Sequence, residues 1–168
     1  MPSAGDKREK RPRATALEQA VRYLSRRTVS EQRLREYLSR KGYGEDDIGK
    51  AVERLKEKKY LSDKDLARAR AGALLKRSGY WGRAIRHKLR EEGIGKEDAA
   101  EAERAVGQEE DPKQLARGLV ERRYGANWQE TPRRRVASFL ERRGFSPDVI
   151  VPILRELKSP PEGEESGE

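Results

Sequence analysis

The chain has 168 residues, 33% hydrophobic and 41% charged, with 39 Lys+Arg against 30 Asp+Glu and a formal net charge of +9. So small an apolar share cannot fill a thick core, and helices that each keep a wide wet face suit it better. With no Cys and a single His87, the chain holds no disulfide scaffold, thiol nucleophile or cysteine-ligated zinc, and cannot by itself build a histidine triad or metal cluster. Its apolar runs fall far short of the ~20 residues that span a bilayer, and no apolar segment follows the basic start, so a cytoplasmic protein with no membrane contact is expected.

Residues 1–13 hold five basic and two acidic side chains and almost nothing apolar, which predicts a disordered basic head. Ala16, Leu17, Ala20, Val21 and Leu24 then form a helical stripe, with Arg26 and Arg27 at its end. Ile48, Ala51, Val52 and Leu55 sit at i, i+3, i+4 and i+7, a second stripe, and Leu115, Ala116, Leu119 and Val120 make a third. The acidic runs Glu45-Asp46-Asp47 and Asp63 with Asp65 suit helix starts, where they complement the dipole. Ser62 with Asp65 resembles a capping box. Asp111-Pro112, Thr131-Pro132 and Ser146-Pro147 each put a side-chain acceptor before a proline at the first helical position. Residues 158–168, with one lysine, two prolines and four glutamates, predict a disordered acidic tail. The two ends, +3 and −3, cancel, so the positive charge belongs to the middle.

The stop signals repeat. Gly42, Gly93 and Gly144 recur at 51-residue intervals, each followed by a hydrophobic residue (Tyr43, Ile94, Phe145), as a left-handed glycine cap with an apolar residue folding back would require. Leu38, Leu89 and Leu140 share the register, as do Leu34, Ile85 and Val136. The expected fold is therefore all-α: three tandem three-helix repeats, helix-turn-helix-like, over 14–61, 62–110 and 111–157, stacked into an elongated, curved body.

With that frame, Tyr23-Leu24-Ser25-Arg26-Arg27-Thr28-Val29-Ser30-Glu31 and Leu34, Leu38 to Gly42-Tyr43 resemble the opening of the RecX family of bacterial regulatory proteins. Tyr60-Leu61-Ser62-Asp63 through Leu66-Ala67, Gly82-Arg83-Ala84-Ile85 to Gly93-Ile94, and Arg143-Gly144-Phe145-Ser146 resemble its later signatures, in order, from about Ala16 to Leu157. Two departures stand out: Leu66, where the family more often has an aromatic, and a longer interruption from Tyr124 to Thr131. The resemblance implies a non-catalytic modulator of the RecA recombinase. It would bind the RecA filament on single-stranded DNA and mostly damp ATP hydrolysis, strand exchange and coprotease activity.

Candidate contacts are the clustered cations: Arg26, Arg27, Arg40, Lys41, Arg83, Arg86, Lys88, Arg90, Arg133, Arg134, Arg135, Arg142 and Arg143. Spaced along a solenoid, they could track phosphates or an acidic filament surface; the competing reading is that basic pairs in so charged a chain are solvated faces or partners of nearby glutamates. Without amide side chains beside them, phosphate contact to single- or double-stranded DNA is favoured over base readout. Tyr80 and Trp81 could stack unpaired bases, but are expected to cover the gap between repeats one and two; Trp128 is likewise assigned to packing. His87, between Arg86 and Lys88, reads as a surface residue. No catalytic residue, cofactor or metal is expected, and the protein is expected to be a monomer. The alternative is a stand-alone DNA-binding protein that places its tandem helix pairs on duplex through phosphate contacts.

Overall fold

A computed structural model describes residues 14–108 and 110–158; the expected head, and residues 159–168 of the expected tail, lie outside the described residues. The described chain is helical, with no strand. The elements are α1 (Ala16–Leu24), α2 (Glu31–Arg40), α3 (Glu45–Glu57), α4 (Asp63–Ser78), α5 (Gly82–Glu91), α6 (Lys96–Gln108), α7 (Pro112–Tyr124), a 3-10 turn (Trp128–Glu130), α8 (Arg133–Arg143) and α9 (Pro147–Arg155). They divide into two compact units, Met1–Ser62 and Asp63–Glu168.

In the first unit the start of α1 is fixed by a capping box. The Thr15 hydroxyl accepts from the Glu18 amide at 3.2 Å, and the Glu18 carboxylate accepts from the Thr15 amide at 3.0 Å. Buried Ser30 caps α2, and Glu45, Asp46 and Asp47 occupy the first turn of α3, where the exposed amides favour negative charge. The Ile48–Leu55 stripe turns inward as its spacing demands and meets Ala20, Leu34, Leu38 and Leu61 in one apolar cluster.

The second unit holds two helix triplets. Each has its own cluster, one around Leu75, Ile85, Leu89 and Ile94 and the other around Trp128, Val136, Leu140, Phe145 and Ile153, with Trp81 and Leu115 packed against both. All three repeating glycines take left-handed φ (85°, 83° and 95° at Gly42, Gly93 and Gly144). Behind each, the amide of the next residue reaches back to a leucine carbonyl: Tyr43 to Leu38, Ile94 to Leu89, Phe145 to Leu140, at 3.1–3.3 Å. These are Schellman closures, which satisfy carbonyls that a helix end leaves open and draw the following apolar residue onto the last turn.

Three expectations need correction. Tyr80 and Trp81 do not bridge repeats one and two; they join the second and third triplets. Gly79 and Gly82, at φ 64° and 45°, turn the intervening loop, so that the Trp81 amide donates to the Arg143 carbonyl at 2.8 Å and its ring stacks on Phe145 at 6.0 Å. Thr131 does not cap α8: its amide closes the 3-10 turn on Trp128, Pro132 takes the cap position, and the helix starts at Arg133. Burial of Trp128, 2% exposed, dictates this turn and so shifts the start. Ser146 stands at the cap of α9, but its side chain makes no capping bond; Asp111 does cap α7, accepting from Lys113 at 2.8 Å.

Candidate basic interaction surface

In the first unit, four of the proposed cations gather where α1 ends and α2 ends. Tyr23 and Tyr37 stack face to face at 3.8 Å. The Arg27 guanidinium lies 4.8 Å from the Tyr23 centroid and the Lys41 ammonium 5.7 Å from that of Tyr37. The result is a cation–ring–ring–cation ladder whose outer faces are already taken, so it holds charge in place and offers no ring face for a base. Beside it opens a cleft of about 540 Å³ lined by Arg22, Arg26, Arg27 and Arg40 with the two tyrosines, and by no carboxylate among the described residues. Several guanidinium forks with no acid to neutralise them suit phosphate or carboxylate oxygens. Sequence reading missed Arg22 and the tyrosine pair. Arg22 precedes Arg26 by one helical turn and was legible in principle; Tyr23 meets Tyr37 only through the crossing of α1 and α2.

The second unit sorts its cations into two sets. Arg86 pairs with Glu103 at 2.9 Å, and Lys88 pairs with Glu91 at 2.9 Å, 6.0 Å from the Tyr80 ring. The Glu91 hydrogen bond holds the Lys88 ammonium above its usual range, and Lys88 in turn holds the Glu91 carboxyl low. Arg90 donates to the Ile94 carbonyl at 3.1 Å and Arg133 to the Leu154 carbonyl at 3.0 Å, each tying down a helix end. Arg143, grouped by sequence with the contact residues, is turned into the joint: it donates to the Ser78 carbonyl and lies 5.0 Å and 5.4 Å from the rings of Tyr80 and Phe139. In contrast, Arg83, Arg134, Arg135 and Arg142 have no ion-pair partner among the described residues; three of them are on α8, where Arg135 and Arg142, seven residues apart, share one flank. His87 is exposed, with Nε2 3.4 Å from Glu91.

No helix of the described residues is long and apolar enough to cross a membrane. Fold and surface together define a tandem three-helix-repeat protein that presents arginines with no ion-pair partner among the described residues. A family model described as RecX, first three-helix domain, matches residues 16–55. Over 149 residues the chain is 36% identical to the regulatory protein RecX of Syntrophotalea carbinolica, covering 86% of this chain and 97% of that one. It is 32% identical to the protein of the same name from Deinococcus radiodurans over 156 residues, 91% of this chain and 74% of that one. The crystal structure of RecX from Lactobacillus salivarius shares the fold, with a TM-score of 0.70 at 22% identity over 84% of this chain and 94% of that one. The chain belongs to the RecX family.

Proposed function

We propose that the chain is a regulator of RecA that docks on the recombinase filament formed on single-stranded DNA and lowers its ATP hydrolysis, strand exchange and coprotease activity without catalysing a reaction itself. The contacts in this reading are Arg26, Arg27, Arg40 and Lys41 on the first unit and Arg83, Arg134, Arg135 and Arg142 on the second, with the repeats over 14–61, 62–110 and 111–157 acting as separate contact modules. One observation carries it: of the clustered cations, these have no ion-pair partner among the described residues, while Arg86, Lys88, Arg90, Arg133 and Arg143 are engaged internally. Modest contacts at several points gain by linkage to one polymeric target, and a bound body spanning subunits resists the rearrangements that turnover needs.

Adding substoichiometric protein to RecA on single-stranded DNA should depress ATP hydrolysis, and the protein should sediment with the filament. Full hydrolysis together with no co-sedimentation rejects the reading. The carboxylate-free cleft beside Tyr23 favours a second reading, direct phosphate binding to naked DNA. It predicts affinity for bare duplex falling by orders of magnitude between about 50 and 200 mM salt, whereas filament docking predicts weak duplex binding throughout. Charge reversal of Arg134, Arg135 and Arg142 is the cleaner mutational test, because reversing Arg143 would break the joint as well.

A further inference from the structure

The cleft beside the tyrosine pair holds more positive charge than its own helices call for. Arg22 stands in the last turn of α1 and Arg40 in the last turn of α2, and one cation at each such end is what the carbonyl dipole attracts. Arg26 and Arg27 come on top of that, just past the end of α1, and all four line the same concavity of about 540 Å³. Four guanidiniums against about one unit of negative dipole charge leave roughly +3 inside it. All four side chains are exposed and have no ion-pair partner among the described residues. Two further features narrow what fits. The Tyr37 hydroxyl accepts from the Gln19 side-chain amide, which leaves its own proton for an oxyanion in the cleft. The rings of Tyr23 and Tyr37 face each other at 3.8 Å with Arg27 and Lys41 over their outer sides, so neither ring receives a nucleobase.

We propose that this cleft binds free di- and triphosphates, inorganic or carried on a nucleotide, and holds them by the phosphate chain without reading the base. A single phosphate supplies only about −1.5 to −2, so two or three linked phosphates match the surplus charge. Their oxygens suit the fork geometry of guanidinium groups. A glutamate peptide is a poorer match, because its carboxylates carry one charge each and follow the chain at ~3.3 Å a residue. The site shares Arg26, Arg27 and Arg40 with the filament reading but goes beyond it, adding Arg22 and a small ligand, and it needs no RecA.

The test uses the full chain and inorganic triphosphate, titrated in low salt by calorimetry and by amide chemical shifts. Binding should saturate and shift the ends of α1 and α2 more than any part of α8. No saturation, or shifts as large on α8, overturns the site. ATP and GTP should match inorganic triphosphate, since a stacked base would add about fivefold or more; a gain of that size overturns the base-blind reading. Arg22→Ala and Arg40→Ala, both at exposed positions, should each weaken triphosphate about 3–10-fold. Arg104→Ala on α6 removes the same charge from the second unit and should leave affinity unchanged. Equal losses in all three variants reduce the effect to net charge and overturn the site. A single-stranded oligothymidylate separates the other source of phosphate: if Arg22→Ala weakens the oligonucleotide but not triphosphate, the cleft follows a strand backbone and the proposal fails. A glutamate peptide that binds as tightly as triphosphate overturns it too. Saturable triphosphate binding at this cleft, in a chain that leaves ATP hydrolysis by RecA untouched, keeps the site and rejects the filament reading.

Discussion

Lys41 and Arg143 occupy the same place in the repeat, one residue before the capping glycine, and each faces an aromatic residue four positions earlier, Tyr37 or Phe139. Their fates differ. Lys41 lies over its tyrosine at an exposed helix end. Arg143 has Phe139 on one side and Tyr80 on the other, and its guanidinium is bonded to the Ser78 carbonyl. A periodic sequence fixes which side of a helix a cation leaves from. Whether the cation meets solvent or another helix depends on what the chain stacks there.

The glycine that follows should give the largest contrast. A Cβ at Gly144 would overlap the Trp81 carbonyl and Ala84 and would also have to adopt φ 95°. Gly144→Ala should therefore cost about 3–5 kcal/mol in urea unfolding, combining backbone and overpacking penalties. Gly42→Ala, at an exposed turn with φ 85°, should cost only the backbone part, about 1–2 kcal/mol. Equal losses would mean that the joint imposes nothing at Gly144.

Next in size is the cation pair. Arg143→Ala strands the Ser78 carbonyl and removes a guanidinium from two rings, an expected loss of about 2–3 kcal/mol by urea midpoint, and should lower the fluorescence anisotropy or shift the emission of Trp81. Lys41→Ala should cost about 0.5–1 kcal/mol. In binding the order should invert: Lys41→Glu weakens filament co-sedimentation while leaving stability nearly intact, and Arg142→Glu does the same where Arg143→Glu unfolds the joint. Retained affinity in both Lys41→Glu and Arg142→Glu chains would move the docking face elsewhere.

The smallest effect concerns Glu31 at the start of α2. Burial pushes its carboxyl up, but hydrogen bonds from Lys56 and Arg35 outweigh that and hold it below its ordinary 4.5. A lowered folded value means the contribution is complete above about pH 4.5 and is lost as pH falls through the folded value. Glu31→Gln should thus lose up to about 1 kcal/mol at pH 7, with the gap to the parent closing near pH 3. A constant gap across that range would assign the loss to packing.

Much of this was legible in particular residues. The 51-residue spacing of Gly42, Gly93 and Gly144 with matched leucines located three helix ends and their back-folding neighbours, because a Schellman closure is local and needs only a glycine and an apolar residue. The core stripes at 48–55 and 115–120 followed from period alone. The cations were visible but not their uses: nothing about Arg142 and Arg143 in sequence says that one has no ion-pair partner among the described residues and the other is built into a joint. Tyr80 and Trp81 were correctly assigned to packing but given the wrong neighbour, since the turn made by Gly79 and Gly82 depends on what receives the tryptophan.

By itself, then, the sequence determined the helices, the three glycine closures, the inward faces and the threefold recurrence, all of which arise from interactions within a few turns of one segment, whereas the caps expected of Thr131 and Ser146 did not form. Only the tertiary structure decided which arginines have no ion-pair partner among the described residues and which are tied into helix ends and joints. Ion pairs such as Arg86 with Glu103, and the stacking of Tyr23 on Tyr37, join residues that are distant along the chain and meet only when helices cross.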